Sequence, residues 1–366
     1  MRTIYLSKWN ERLVAAVIEN GKTMALNVCN DEEETLASIY KGIVKAEKAN
    51  IDAYFVDIGQ ERDVFLHKAD CLHSNLQIGE EVIVQIARVS SRYKSGQVTM
   101  KLTIAGRYMV YSPFDDYIAF SKKLPFLERK KWLDFANKVK REREGFLFRT
   151  AVSTVQFDEV KQELSQLREQ MMQIIEKSKQ VQAPALLHRG KDCITQTVNR
   201  CLSSGVSAIT TDYESIYNRF KDQFQLKVIF DAAPPIDLNR EIHRAMKKIV
   251  WLQDGSYLLI EENEALTVID VNSGHSTLDP MTINQHAAFE AIRQLRLRNL
   301  GGMIVIDFLR MNEQEQTFIH KEVEKAAARD LQTIIIFGFT QMGLFELTRK
   351  KTGRSLKESL NGKVNQ

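Results

Sequence analysis

The fold of this chain is decided by residues 265–274, which read Ala-Leu-Thr-Val-Ile-Asp-Val-Asn-Ser-Gly. A second stretch follows the same plan at residues 301–308, which read Gly-Gly-Met-Ile-Val-Ile-Asp-Phe. Short β-branched runs of this kind are typical of strands that are buried in a sheet. We therefore predict two strands, one ending near Asp270 and the other at Asp307.

A helix is predicted between these two strands. Residues 286–300 carry apolar side chains at the spacing of one helix face, with arginines between them, and a glycine pair follows. This is the pattern of an amphipathic helix with a glycine stop. A strand, helix, strand unit usually places its strands side by side with their carboxyl ends at one edge, where open α/β sheets bind ligands. Asp270, Asn272 and Asp307 are then expected at one rim.

Three oxygen-bearing side chains at one rim favour a hard metal ion. Two carboxylates and an amide are too few for a calcium site but suit Mg²⁺, which keeps several of its waters. Such an ion holds a phosphate and activates a water. The alternative is that Asp270 or Asp307 caps the next helix or pairs with one of its arginines. From the residues alone, both interpretations stay open.

The same stretches resemble the catalytic core of a known enzyme family. Residues 264–273, taken together with residues 291–308, are similar to the core of the ribonuclease E/G family. The resemblance is long and specific, because it extends well beyond a single short motif. It implies that Asp270 and Asp307 ligate a catalytic Mg²⁺ and that Asn272 supports them.

The resemblance covers about residues 1–360, and the chain departs from the family pattern at several points. The family usually places an arginine or lysine near the position of His275, and a neutral imidazole supplies less positive charge at pH 7. Longer family members follow the core with a Cys-Pro-x-Cys element that links subunits through zinc. No cysteine follows residue 355 in this chain, so either the chain is a short member of the family or the sequence is cut before that element. A homodimer, if one forms, is therefore expected to lack the zinc link.

Composition sets the broad class of protein. The chain has 366 residues, of which 44% are hydrophobic and 27% charged, and this suits a globular protein of two or more domains. The net charge is only +4, so binding of a polyanion has to come from local patches. No apolar run approaches a membrane span and no signal-peptide core is present, so we expect a cytoplasmic protein without membrane contact. The cysteines lack zinc-ligand spacing and are expected to be reduced: Cys29, Cys71, Cys193 and Cys201.

The resemblance implies an α+β, multidomain fold. An OB-type RNA-binding barrel is inserted in a ribonuclease-H-like subdomain, and a 5′-sensor region and a deoxyribonuclease-I-like α/β catalytic domain follow. Asn20-Gly21, between two strand-like runs, itself predicts a β-hairpin near the amino terminus. The expected boundaries are 1–36 for the amino-terminal hairpin of the ribonuclease-H-like subdomain, 37–108 for the barrel, 109–188 for the 5′-sensor region, 189–252 for the remainder of the ribonuclease-H-like subdomain and 253–366 for the catalytic domain.

The barrel is also predicted from the residues. Five short β-rich runs lie within residues 39–103 and are separated at glycines, which is the pattern of a five-stranded OB-type barrel. Such barrels bind single strands by stacking bases on exposed aromatic side chains. Tyr40, Phe55 and Phe65 are candidates, and the alternative is that each fills the barrel interior. The resemblance assigns Phe55, Phe65 and, more loosely, Lys94 to RNA contact.

A phosphate site is expected in the most basic part of the chain. Residues 121–149 hold ten Lys or Arg against four Asp or Glu, although a solvated helix face is the usual explanation for such a run. The resemblance implies a 5′-monophosphate pocket here with Arg149 and Thr150, and an Arg fork with a hydroxyl suits a terminal phosphate. Ala119 and Gln341 replace a glycine and an arginine of the family's pocket. We therefore expect a weaker dependence on 5′-monophosphate.

Periodicity predicts further elements along the chain. Residues 156–181 repeat apolar side chains every three or four positions and predict a long helix. Residues 239–251 predict a basic amphipathic helix. Beyond Asp307, the pattern predicts a helix at residues 313–330 and then a strand, followed by a basic tail that includes Arg349.

These inferences point to a magnesium-dependent endoribonuclease that acts in RNA processing and decay. By resemblance it cuts single-stranded, A/U-rich RNA and leaves 5′-phosphate and 3′-hydroxyl ends. One alternative is a non-catalytic RNA-binding protein that retains the fold, although such a protein needs no pair of carboxylates. A second is a phosphatase with a strand-end aspartate as nucleophile, which fits less well because Asn272 is not an acid.

Overall fold

The computed structural model describes residues 2–29, 36–73, 75–90, 95–122, 124–190, 193–202, 205–222 and 226–361. The chain divides into two compact units. One unit joins residues 1–33 to residues 192–366, and the other holds residues 34–191. Among the described residues, no helix is both long and apolar enough to span a membrane.

Short strands and helices follow one another along the whole chain. The strands are β1 (Arg2–Trp9), β2 (Arg12–Glu19), β3 (Lys22–Cys29), β4 (Ile39–Lys48), β5 (Ala53–Asp57), β6 (Val64–His67), β7 (Glu81–Arg88), β8 (Gln97–Thr99), β9 (Ile104–Ala105), β10 (Met109–Ser112), β11 (Ile118–Phe120), β12 (Gly145–Phe148), β13 (Ala185–His188), β14 (Val206–Thr211), β15 (Val228–Phe230), β16 (Ile249–Trp251), β17 (Tyr257–Glu262), β18 (Leu266–Asn272), β19 (Gly302–Asp307), β20 (Ile334–Phe339) and β21 (Phe345–Arg349). The helices are α1 (Phe126–Val139), α2 (Phe157–Gln180), α3 (Cys193–Leu202), α4 (Glu214–Phe220), α5 (Leu238–Met246), α6 (Pro280–Leu297), α7 (Glu313–Ala327) and α8 (Leu356–Asn361). Short 3-10 helices span Ala49–Ile51, Lys68–Asp70 and Thr150–Thr154.

The unit of residues 34–191 contains a closed barrel. Strands β4, β5, β6, β8 and β7 are neighbours in that order, and β4 pairs again with β7 to close the ring. This confirms the predicted five-stranded, OB-like barrel. β13, which its sequence pattern does not predict, pairs with β4. Tyr40 is 5% exposed and packs in the barrel core with Val44 and Val84, so its proposed role as an exposed platform is wrong.

A second sheet in this unit has the strand order β11-β12-β10-β9. Helices α1 and α2 contribute to the core beside it, which contains the fully buried Trp132. α2 confirms the predicted long helix and starts with a capping box between Gln156 and Glu159. Its predicted apolar seam is buried at Val160, Leu164, Leu167, Met171 and Ile174.

The other unit contains two sheets, of which the first has the order β15-β14-β1-β2-β3. The β2–β3 turn is the predicted Asn20-Gly21, with φ of +50° and +76°, as a primed hairpin turn requires. Cys29, at the end of β3, forms a disulfide bond. The expectation of reduced cysteines is therefore wrong for Cys29, while Cys71 and Cys201 are not disulfide-bonded. The side chain of Cys193 lies outside the described residues.

The second sheet of this unit has the order β16-β17-β18-β19-β21-β20. β18 and β19 are parallel and joined by α6, which confirms the predicted strand, helix, strand unit. α6 starts six residues before the predicted position of 286, because Asp279 accepts a hydrogen bond from the backbone N of Thr282 and Pro280 follows as the first helical residue. Helices α6 and α7 form a core with one face of the sheet.

Two predictions in this unit are wrong in detail. The predicted helix of residues 239–251 ends at Met246, because the β-branched residues after it form β16 and pair with β17. Arg349 does not belong to a basic tail. It lies in β21, is 5% exposed, and its Nε is 2.9 Å from Oδ2 of Asp330. A strand flanked by two others hides this arginine, and its own sequence does not reveal that.

The architecture is therefore mixed α+β, with a closed barrel and several open sheets, as the resemblance implies. The ribonuclease-H-like and deoxyribonuclease-I-like identities of the sheets stay predictions, and so do the five expected domain boundaries.

Candidate functional site

The two aspartates predicted as metal ligands lie directly opposite each other. β18 and β19 are parallel neighbours, and their register pairs Asp270 with Asp307. Neighbouring strands are about 4.8 Å apart, so the two Cα atoms are separated by roughly that distance. Paired residues of neighbouring strands also point to the same face of the sheet. The structure thus brings the two residues together at the carboxyl ends of both strands.

Both aspartates lie on the sheet face that α6 and α7 do not cover. Ile269, Val271 and Ile306 are buried in the core with these helices. Because side chains alternate along a strand, Asp270 and Asp307 point away from that core. Asp307 is exposed and Asp270 is partly exposed. Both carboxylates are therefore accessible to a ligand.

Asn272 positions one of the two carboxylates. Its Nδ2 donates a hydrogen bond to Oδ2 of Asp270 at 2.8 Å. Asn272 lies two residues after Asp270, so the two side chains share a face of β18. The bond fixes one oxygen of Asp270 and leaves the other to a further ligand. The supporting role predicted for Asn272 has a physical basis in this contact.

The alternative role of the aspartates as helix caps does not match the structure. α6 is capped by Asp279, and α7 is capped by Asn312, whose side chain accepts hydrogen bonds from the backbone N of Gln314 and Glu315. Neither Asp270 nor Asp307 is in a capping position. The helices that follow the two strands therefore do not account for the two carboxylates.

The alternative pairing with arginines of α6 does not match either. Arg293 binds Glu290, with Nη2 and Oε1 2.6 Å apart. Arg298 donates from Nε to Oε1 of Gln294 at 2.8 Å and from Nη2 to the backbone oxygen of Lys247. Burial lowers the pKa of Arg298 to about 10. Arg293 and Arg298 therefore have partners other than Asp270 and Asp307.

The donor set suits a hard cation that keeps much of its water. Among the described residues, no group of three or more His, Cys, Asp or Glu side chains is placed to hold a metal ion. Structural zinc sites need four protein ligands and calcium needs six to eight oxygens. Two neighbouring carboxylates, with water and a substrate phosphate completing the shell, match Mg²⁺. On the basis of these ligand preferences, Asp270 and Asp307 remain the predicted ligands of a Mg²⁺ ion.

The aromatic residues predicted to contact RNA lie on the outside of the barrel. Phe55 of β5 and Phe65 of β6 are register partners, and their ring centroids are 5.9 Å apart. Both are partly exposed, whereas the residues on either side of them are buried. His67 adds a third ring, 4.4 Å from Phe65 between centroids. Residue alternation along β6 places His67 beside Phe65, and this signal was available in the sequence. Lys94 lies outside the described residues.

The predicted phosphate-binding residues follow β12. Arg149 and Thr150 are exposed there. Nη1 of Arg149 donates to the backbone oxygen of Gly106 at 2.8 Å, so part of the guanidinium already has a partner. Ala119 of β11 pairs with Leu147, two residues before Arg149, and shares its face of the sheet. The structure thus groups Arg149, Thr150 and Ala119 at one strand end.

The two other departures from the family pattern lie in the unit of the paired aspartates. His275 is exposed, and its backbone N donates to the oxygen of Gly255 at 3.0 Å. Gln341 is exposed in the turn that joins β20 to β21. Neither side chain contacts Asp270 or Asp307 through a hydrogen bond in the described part of the chain.

The chain is similar to proteins of one enzyme family. The Ribonuclease E/G family model matches residues 103–352. The chain is 30% identical to ribonuclease E of Nostoc sp. over 94% of its length and 55% of that protein. It is 28% identical to ribonuclease G of Escherichia coli over 94% of its length and 79% of that protein. It is 32% identical to ribonuclease E of Synechocystis sp., again over 94% of its length and 56% of that protein.

The chain therefore spans little more than half of these ribonuclease E relatives and about four-fifths of the ribonuclease G relative. The matched region of the family model contains both paired aspartates and the arginine of the phosphate-site candidate. These matches confirm the resemblance to this family. The chain belongs to the ribonuclease E/G family.

Proposed function

We propose that this protein is a magnesium-dependent endoribonuclease that cuts single-stranded RNA in RNA processing and decay. The observation that carries the proposal is the pairing of Asp270 with Asp307 on the uncovered face of the sheet, in a chain of the ribonuclease E/G family. Similar proteins are named ribonuclease E and ribonuclease G. The paired carboxylates are suited to the RNA cleavage that those names describe.

Asp270 and Asp307 are the residues that would hold the ion. When bound, Mg²⁺ offsets negative charge on the scissile phosphate and lowers the pKa of a water molecule. Asn272 keeps the Asp270 carboxylate in one orientation through its 2.8 Å hydrogen bond. Holding such groups in place before the reaction avoids the cost of reorganising them during it.

The proposed reaction is hydrolysis of an internal phosphodiester. A water oxygen attacks phosphorus in line with the 3′ oxygen, so a new P–O bond forms while the bond from phosphorus to the 3′ oxygen breaks. One proton of the water ends on the 3′ oxygen. The upstream product then carries a 3′-hydroxyl and the downstream product a 5′-phosphate, as the resemblance implies.

The preference for single strands is supported by the barrel. Phe55, Phe65 and His67 present aromatic surface on the outside of β5 and β6. Bases that are not paired stack on such side chains, whereas bases inside a duplex are not available. We propose that these three rings bind single-stranded, A/U-rich substrates.

The test compares cleavage and binding of one labelled single-stranded RNA. With Mg²⁺ the wild type should cut internally, and with EDTA the cuts should disappear. Asp270→Asn removes one carboxylate and should lower the cleavage rate on the order of 10³-fold, while RNA binding through the barrel is retained. Glu264→Gln is the matched control, because Glu264 is an exposed acid in the turn between β17 and β18, at the end of β18 that is far from Asp270.

Three outcomes separate the proposal from its rivals. Cuts that need both the metal and Asp270, with 5′-phosphate and 3′-hydroxyl ends, support it. RNA binding without cuts under any metal condition indicates a non-catalytic RNA-binding protein and overturns it. Loss of terminal phosphate without internal cuts indicates a phosphatase.

A further inference from the structure

Two parallel aromatic rings lie at one edge of the sheet that carries the paired aspartates. The ring centroids of Trp251 and His275 are 6.3 Å apart, and the ring planes differ by 2°. Tyr257 packs on Trp251 with centroids 4.9 Å apart. Trp251 is nevertheless 57% exposed, and His275 is also exposed. A large aromatic surface therefore faces solvent at this edge of the sheet.

The register of the sheet connects these rings to the metal-site candidate. Trp251 of β16 pairs with Tyr257 of β17, and Tyr257 pairs with Asn272 of β18. The three residues form one row on the face that also carries Asp270. Two strand spacings, about 10 Å, separate the Cα atoms of Trp251 and Asn272. A nucleotide attached to a phosphate at the paired aspartates is thus within reach of Trp251.

Gly274 fixes the position of the second ring. Its φ is +53°, and a Cβ there would lie 2.4 Å from the backbone oxygen of Gly255 and 3.2 Å from the ring of Tyr257. A larger residue would therefore push the loop after β18 away from the β16–β17 turn. The backbone N of His275 holds the loop to the same oxygen of Gly255 at 3.0 Å. The alignment of the two rings is thus a product of close backbone packing.

We propose that Trp251 and His275 form a base-stacking site for the nucleotide next to the scissile phosphate. An unpaired nucleobase is the ligand that this surface suits, because every base has a flat π face that stacks on an aromatic side chain. The proposal rests on the proposed cleavage of RNA at Asp270 and Asp307. The stacking site would be a second contact to the RNA within the unit that carries Asp270 and Asp307.

The test is a cycle of one protein change and one RNA change. Trp251→Leu should weaken binding of a short single-stranded RNA in EDTA by about 5- to 150-fold, the range for loss of one stacked base. Trp251→Phe, which keeps an aromatic face, should stay close to the wild type. Removing single bases along the RNA should reproduce the loss at one position beside the cut. At that position, Trp251→Leu and the missing base together should cost no more than either alone.

Phe337→Leu is the matched control for a general loss of aromatic surface. Phe337 is 65% exposed on β20, at the opposite edge of the same sheet, and its replacement should leave binding unchanged. Intrinsic fluorescence gives a second measurement, since Trp132 is fully buried and Trp9 only partly exposed. RNA should quench the wild-type emission, and most of that quenching should be absent from Trp251→Leu.

The outcomes distinguish this proposal from the one it rests on. If Trp251→Leu binds and is quenched like the wild type, or if no abasic position is coupled to it, the stacking site is overturned whether or not the protein cuts RNA. If the wild type never cuts but the coupling is found, stacking stands while its assignment beside a scissile phosphate fails. Coupling at the position beside the cut, together with a higher KM and a nearly unchanged kcat for Trp251→Leu, supports both.

Discussion

Two strand ends carry the residues predicted to bind RNA phosphates, and they are built differently. Asp270 and Asp307 are paired in one register, and Asn272 fixes one of them. At the end of β12, Arg149 already donates to the backbone oxygen of Gly106, and Ala119 stands where the family resemblance leads us to expect a glycine. The proposed metal site thus has both carboxylates and a supporting amide, whereas the proposed site for the RNA end has a partly engaged arginine and an alanine in place of the expected glycine. Cleavage should therefore depend strongly on the paired aspartates and weakly on the residues at the end of β12.

The most direct test of this difference removes one charged side chain at the paired aspartates and one at the end of β12. Asp307→Asn should lower cleavage of a 5′-hydroxyl RNA on the order of 10³-fold, because it removes a carboxylate that the proposed ion needs. Arg149→Ala should lower it by less than about tenfold, the effect of a contact worth no more than 1.4 kcal/mol. Single-turnover cleavage rates at saturating Mg²⁺ measure both. Equal losses of rate in the two variants would show that cleavage depends on both strand ends to the same degree.

We expect weak phosphate binding at the end of β12 although the fold around this strand is well stabilised. Glu144, directly before β12, is buried and accepts hydrogen bonds from Nη2 of Arg168 at 2.5 Å and from the hydroxyl of Tyr111 at 3.0 Å. Removing one member of a buried ion pair costs about 3 kcal/mol. Glu144→Gln should therefore lower the free energy of unfolding by about that amount, as measured by urea denaturation at pH 7. Glu142→Gln, at an exposed acid two residues earlier, is the control and should change little.

The same pair gives a pH dependence with a definite sign. Burial alone would raise the pKa of Glu144, but hydrogen bonds from Arg168 and from the backbone of Arg141, with the charge of Arg168, outweigh it and lower the pKa below its usual 4.5. The stabilisation is therefore fully present above about pH 4.5 and is lost as the pH falls through the lower folded-state value. The stability gap between wild type and Glu144→Gln should be constant near neutral pH and shrink in acid. A gap that widens in acid would contradict this assignment.

Features encoded by local periodicity were predictable from the sequence. The Asn20-Gly21 hairpin, the barrel strands, α2 and the unit of β18, α6 and β19 each carry their signal within a few consecutive residues. The two aspartates belong to this class, because a strand, helix, strand unit constrains where its strand ends meet. Their exact opposition in register is a finding of the structure.

Features that depend on distant partners were not predictable. The sequence around Arg349 resembles a basic tail. In the structure, β21 lies between β19 and β20, and the guanidinium of Arg349 binds Asp330. The end of α5 at Met246 is set by pairing between β16 and β17, which no helix periodicity contains. Trp251 is read as part of a helix until that pairing brings it level with Asn272. Surfaces made by several segments therefore need the structure.

A smaller change at the paired aspartates sharpens the comparison further. Asn272→Ala removes the hydrogen bond to Oδ2 of Asp270 but leaves both carboxylates in place. Residues that orient a metal ligand typically contribute 10- to 100-fold to affinity or activity, so we expect a loss of about that size. The loss should appear in the Mg²⁺ concentration needed for half-maximal cleavage as well as in the rate. Unchanged Mg²⁺ dependence would mean that Asn272 does not act through Asp270.

The smallest expected effect concerns the phosphate at the RNA end. With Arg149 partly engaged by Gly106, and with Ala119 in place of the glycine that the resemblance implies, the wild type should prefer a 5′-monophosphate over a 5′-hydroxyl RNA by less than about tenfold in kcat/KM, or under 1.4 kcal/mol. Ala119→Gly removes a methyl group from the face of β11 shared with Arg149 and should increase that preference without changing cleavage of the hydroxyl-ended RNA. Competition between the two RNAs in one reaction measures the ratio directly. A preference well above tenfold in the wild type would show that the end of β12 grips the phosphate as it stands, and the contrast between the two strand ends would then fail.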